Sequence, residues 1–168
     1  MQSPRLVAVD TNVLLSLAAR DEVTLDALEL IRQRLNPALI LVPPTALEEV
    51  GHKALSAGDA ELSRLASLSL REFRSVWHLQ PAELRSDQEF IAENAATALR
   101  SAGLIPLAER NDAFILAEAA VLQCILLVSN DSHLLDVDRS GLRKLFDKLD
   151  LEPPTLASPR QLVRRFTR

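Results

Sequence analysis

Short unbroken apolar runs alternate along this chain with longer stretches in which apolar residues recur every three or four positions. The short runs read as strands buried on both faces, the longer stretches as helices with one buried side. The runs are Leu6-Val7-Ala8-Val9, Leu39-Ile40-Leu41-Val42, Ser75-Val76-Trp77-His78-Leu79 and Ile125-Leu126-Leu127-Val128. A helix is predicted after Asp10-Thr11-Asn12, through Val13 to Leu17. Further helices are predicted over Leu25–Leu35, Thr45–Leu55, Leu62–Phe73, Phe90–Ala102, Asn111–Gln123, Leu142–Leu149 and Pro159–Phe166. Asn36-Pro37, Gly58-Asp59 and Gly103 punctuate them. Glu152-Pro153-Pro154-Thr155 reads as a turn.

Strands alternating with helices predict an α/β chain around a mostly parallel sheet of four or five strands. The length of 168 residues fits a single domain over 1–168. An apolar fraction of 48% against 25% charged residues excludes a disordered chain. No apolar run approaches the roughly 18 residues of a membrane span. Met1-Gln2-Ser3-Pro4-Arg5 leads into a run cut short by Asp10, so no secretory core forms and a cytoplasmic location is expected. The lone Cys124 excludes a disulfide framework and a cysteine-based zinc site, and the four glycines spell no phosphate-cradling loop. Nineteen basic against 23 acidic residues leave a net charge of −4. Bulk charge therefore does not hold this chain to nucleic acid, although acids that gather a metal ion could.

Parallel sheets bind ligands beyond the carboxyl ends of their strands. Asp10 follows the first strand directly, and Ser129-Asn130-Asp131 follows the run ending at Val128. Thr45-Ala46-Leu47-Glu48-Glu49-Val50 opens the helix after the second strand. Thr45 and Glu48 have capping-box spacing, which leaves Glu49 without a local explanation. Asp112 stands at the entrance of a helix whose only polar residue from Ala113 to Leu122 is Glu118. Such a helix is buried almost all round. Taken singly, Asp10, Asp112 and Asp131 are each explained as helix caps. Taken jointly on one sheet edge, they would repel one another unless a hard divalent cation, Mg²⁺ or Mn²⁺, joined them.

The set Val9-Asp10-Thr11-Asn12-Val13-Leu14, Glu49-Val50, Asn111-Asp112 and Ser129-Asn130-Asp131 resembles the PIN domain family, most closely its VapC-like ribonuclease branch. The resemblance covers most of the chain. It implies a three-layer flavodoxin-like fold and a metal-dependent endoribonuclease that hydrolyses RNA phosphodiester bonds with a metal-activated water. It carries over Asp10, Glu49, Asp112 and Asp131 as the catalytic and metal-holding acids, with Asn12 and Ser129 in support. It also implies a toxin–antitoxin role with an antitoxin partner, and homodimers. The stretch between Gly51 and Gly103 is longer than in compact VapC toxins, and Asp136, five places beyond Asp131, is a further ligand candidate behind Asp131. The rival readings are a PIN-like module that binds RNA or a partner without cutting, and an RNA- or DNA-processing nuclease with no antitoxin. A phosphoacceptor receiver domain is excluded, because no lysine follows Val128 until Lys144.

Arg110, beside Asp112, is the candidate for a substrate phosphate, with an ion pair to a neighbouring acid as the alternative. The C-terminal Arg160, Arg164, Arg165 and Arg168 could guide RNA or simply face water around packed Leu162, Val163 and Phe166. His52 and His133 lie near predicted acids, Trp77 reads as core, and Cys124 as a small buried hydrophobe.

Overall fold

In the computed structural model, which describes residues 3–56 and 58–168, five strands form one parallel sheet in the order β3-β2-β1-β4-β5. The strands are β1 Leu6–Val9, β2 Leu39–Val42, β3 Gln80–Pro81, β4 Leu126–Val128 and β5 Thr155–Ala157. Met1, Gln2 and Ala57 lie outside the described residues. β1 sits at the centre, with Val7 opposite Ile40 on one side and Leu126 on the other. Its residues Val7, Ala8 and Val9 are fully buried, which is why this strand carries no polar alternation.

Nine α-helices flank the sheet among the described residues: α1 Thr11–Ala18, α2 Glu22–Leu30, α3 Pro44–Ala54, α4 Ala60–Glu72, α5 Ser86–Ser101, α6 Arg110–Val121, α7 Ser132–Leu135, α8 Arg139–Lys148 and α9 Pro159–Phe166. None is long and apolar enough to cross a membrane. α2 runs into a π-helical turn, Ile31–Leu35, that ends on Asn36 in the left-handed region (φ 44°). Asp21 and Asp59 cap α2 and α4 by accepting from the amides of Thr24 and Leu62. Gly103, at φ +72°, follows the end of α5. α6 is buried along nearly its whole length, and it packs against the small face of α5 made by Ala92, Ala95 and Ala96. Small residues on both helices let the backbones approach closely.

Three sequence expectations are corrected. The segment 75–79 is not a strand: residues 73–77 are helix end and turn, closed by the Leu79 amide on the Phe73 carbonyl, and His78 takes a left-handed φ of 53°. The edge strand is Gln80–Pro81 instead, where proline loses no ladder bond. Trp77 is part-buried beside the core with the Arg20 guanidinium 5.0 Å from its ring centre. Second, the turn assigned to 152–155 yields at Thr155 to β5, which three residues are too few to announce by pattern. Third, Thr45 and Glu48 make no capping box. Pro43 occupies the cap position of α3 with no side-chain bond, and Thr45 turns to another partner.

The candidate active site

Strand order reverses between β1 and β4, so the crevice beyond their carboxyl ends is the switch point of the sheet. The Asp10 amide donates to the Val128 carbonyl at 2.9 Å, which extends the β1–β4 pairing one residue past the strands. Asp10 therefore leaves the sheet in a fixed place. Its Oδ1 accepts from the Thr11 amide at 2.6 Å, capping α1, and its Oδ2 accepts from the Ser129 hydroxyl at 2.6 Å. The same Ser129 Oγ accepts from the Asp131 amide at 2.9 Å. Asn12 closes the arrangement from α1, its Oδ1 accepting from the Asn130 amide at 3.1 Å. Asn12 and Ser129 thus tie the loop after β1 to the loop after β4.

Asp131 caps α7, accepting from the His133 amide at 2.8 Å. Glu49 reaches in from α3, where its Oε2 accepts from the Thr11 hydroxyl at 3.2 Å and from Asn111 Nδ2 at 3.4 Å. Lys53, one turn along α3, sits 3.3 Å from Glu49 Oε1. Asp112 occupies the first turn of α6 but caps nothing, and its Oδ2 is buried without a hydrogen-bond partner.

The electrostatics follow from this burial and crowding of acids. Burial lifts the Asp10 carboxyl from 3.8 to about 6, against the hydrogen bonds of Ser129 and Thr11; Glu49 and Asp131 add to the rise. Burial pushes Asp112 higher, to about 8, with further contributions from Asp131, Asp10, Glu109 and Glu49 in that order. A carboxylate in the first turn of a helix is ordinarily favoured by the helix dipole. At Asp112 that benefit is overcome by desolvation and four neighbouring acids.

Among the described residues, no three acid, imidazole or thiolate groups converge on one point at coordination distance. The chemistry of the donor set still fits a hard divalent cation. It is all oxygen, it carries surplus negative charge, and one buried oxygen lacks any partner.

Other expected residues fall as follows. Arg110 makes no ion pair among the described residues; its guanidinium lies 4.6 Å from the Phe114 ring centre, which overturns the ion-pair alternative. Asp136 is exposed at the end of α7 and is not among the acids acting on Asp112. His133 Nε2 is 3.6 Å from Glu109 Oε1, and His52 is exposed on α3.

Sequence reasoning missed Glu109, Asn111 and Thr11 as parts of this site. Thr11 and Asn111 adjoin acids already singled out and Glu109 stands three positions before Asp112, so proximity in the chain was the available signal. It also left Glu118 unassigned. That carboxylate is buried and accepts from the Thr45 amide at 3.1 Å and the Thr45 hydroxyl at 2.6 Å. It supplies from α6 the cap that α3 lacks, and burial raises its pKa in spite of both bonds.

No curated protein sequence matches the chain. Among solved structures it is similar to VapBC2 from Rickettsia felis bound to a DNA fragment from their promoter. The TM-score is 0.60 at 18% identity, covering 91% of this chain and 98% of that one. It is also similar to FitAcB from Neisseria gonorrhoeae, with a TM-score of 0.50 at 14% identity, covering 91% and 97%. At those identities the likeness is one of fold. The PIN domain profile matches residues 7–140, a span that holds both strands of the crevice and all four of its acids, and the chain belongs to the PIN domain family.

Proposed function

We propose that this protein is a Mg²⁺- or Mn²⁺-dependent endoribonuclease and the toxin of a toxin–antitoxin pair, acting on RNA in the cytoplasm. The observation that carries the reading is the buried, unpartnered Oδ2 of Asp112 among Asp10, Asp131 and Glu49. A structural carboxylate would be paired or replaced by an amide. Membership of a family of nucleases supports the reaction class, and likeness of fold to the VapBC2 and FitAcB complexes supports an antitoxin partner.

Asp10 and Asp112 would hold the ion directly, with Glu49 and Asp131 completing its shell directly or through water. A bound divalent ion acidifies coordinated water and offsets charge on the leaving oxygen. The chain itself supplies orientation. Ser129 and the Thr11 amide fix both oxygens of Asp10. Thr11 and Asn111 hold Glu49, which takes the proton of the attacking water. Arg110, at the start of α6, meets a substrate phosphate.

The test is cleavage of a panel of labelled RNAs and single-stranded DNAs in Mg²⁺, Mn²⁺ or EDTA, comparing wild type with Asp10→Asn. Metal-dependent cutting of RNA, lost in the folded variant, is expected. RNA binding without cutting by the folded wild type would make it a binding module, and cutting of DNA alone would remove the ribonuclease.

A further inference from the structure

Beside the acids lies a cavity of about 290 Å³, walled by α3, α5 and α6. Glu49 and Asn111 line it and also belong to the acidic site, so the two spaces are continuous. The wall carries Glu48, Glu49, Glu89 and Glu118, against the single guanidinium of Arg110. The four carboxylates would repel an anion seated among them, so the group that fills the cavity away from Arg110 is not a phosphate. What enters must bring N–H donors.

Glu118 is already consumed by Thr45. Glu48 and Glu89 make no ion pair among the described residues and remain as acceptors. Phe114, with the Arg110 guanidinium 4.6 Å from its ring centre, adds flat surface to the same wall. Splayed RNA bases stack on aromatic rings and guanidinium planes and are read along their hydrogen-bonding edges. The volume lies at the small end of ligand pockets, about 300–1,000 Å³, which suits one ring system and excludes a dinucleotide.

We propose that this cavity is a base-recognition subsite that receives the base of a nucleotide flanking the scissile phosphate, and that it selects guanine. The proposal rests on the nuclease reading above. Guanine presents N1–H and the N2 amino group side by side, matching the two oxygens of one carboxylate. Its O6 then accepts from the His52 imidazole, which also lines the cavity. Adenine and cytosine present one amino group beside a ring nitrogen acceptor. Uracil presents a single N3–H between two carbonyl oxygens, which the carboxylates repel, and is the worst fit.

The experiment has two arms. In the first, RNAs that differ only at the bases flanking the cut are cleaved by wild type and by the double variant Glu48→Gln, Glu89→Gln. Both glutamates are exposed, so the variant keeps its fold. Wild type is expected to show guanine at one fixed position beside the break, and the double variant to lose at least tenfold of that preference in kcat/KM. Preference for another base, or a guanine preference unchanged in the variant, overturns the subsite.

In the second arm, the full-length Asp10→Asn chain, with and without the double substitution, is titrated in EDTA with fluorescent tetranucleotides carrying G, A, C or U. Guanine-selective binding lost in the double variant supports the subsite even where no cleavage is seen, which isolates failure of the nuclease reading. Cleavage without base preference, together with equal binding of all four, removes the subsite and keeps the nuclease. Tight binding of an arginine-containing peptide with no discrimination among bases overturns the proposal in favour of a protein partner.

Discussion

Replacing Asp112 by asparagine should stabilise the metal-free protein at neutral pH. The carboxyl is 8% exposed, one of its oxygens has no partner, and its pKa rises from 3.8 to about 8. The folded state therefore binds the Asp112 proton more tightly than the unfolded chain does. Between those two values the native state holds more protons, so stability falls as pH rises through the window. Below about 3.8 the penalty is absent, and above about 8 it is complete. At about 1.36 kcal/mol per unit, a rise of about four units sets a ceiling of about 5 kcal/mol. At pH 7.5 relaxation and residual hydration leave about 2–4 kcal/mol of it. For a chain of this length that is a rise of about 5–15 °C in Tm for Asp112→Asn. The assay is urea and thermal unfolding of both proteins in EDTA, followed by far-UV circular dichroism from pH 4.5 to 8.5. The gap should be widest at the alkaline end and nearly closed at pH 4.5. Saturating Mg²⁺ should narrow or reverse it, because only wild type gains from a tightly held ion. A variant no more stable than wild type at pH 7.5, or a gap independent of pH, would refute the reasoning.

Three further outcomes follow from the same geometry. Glu118→Ala removes both bonds to Thr45, and denaturant titration should show a loss of about 2 kcal/mol. If Glu118 only stabilises, the folded variant will cleave as wild type does; if it sets the register of α3 and so of Glu49, kcat falls with little change in KM. Ser129→Ala strips Asp10 of its 2.6 Å donor. The acid limb of the pH–rate profile should then move up by about one to two units, since a hydrogen bond to a carboxylate is worth about 1.5–3 kcal/mol; a limb that stays put means Asp10 does not control it. Gly103→Ala forces a side chain into the left-handed region at φ +72°. It should cost about 1 kcal/mol by urea titration without changing activity.

The strands that became legible in the sequence are those buried on both faces. β1, β2 and β4 are unbroken apolar runs because, past the first residues Leu6 and Leu39, their side chains are buried on both faces of the sheet. The two edges were harder. β5 is three residues long, and β3 is a Gln-Pro pair whose strand character lies only in its pairing with Leu41 and Val42. The run from Ser75 to Leu79 looked better as a strand than its successor, yet the left-handed His78 breaks it. Nothing in the identity of a histidine announces that conformation. α5 begins four residues before its apolar periodicity, because Ser86, Asp87, Gln88 and Glu89 form a polar first turn with the Gln88 side chain accepting from the Arg85 amide. For the site, residues that follow strands were readable from the topology of parallel sheets. Contacts between helices, such as Glu118 to Thr45 across 73 positions, leave no local pattern.

The two explanations offered by the sequence for its acids, helix cap and functional carboxylate, are not rivals at Asp10 and Asp131. Both side chains cap a following helix, and both follow strands that end at the crevice. A cap needs one oxygen, and a carboxylate has two. The strand-to-helix turn that points amides at the carboxylate also leaves it at the sheet edge where ligands bind. Each of these two acids therefore has a structural use as a cap, and its presence alone says little about activity. Asp112 is different. It caps nothing, satisfies nothing with Oδ2, and is destabilised by every acid near it. Asparagine or alanine at that position would relieve the strain at no structural loss. The carboxylate that costs the fold most is thus the one that argues most strongly for chemistry at this site.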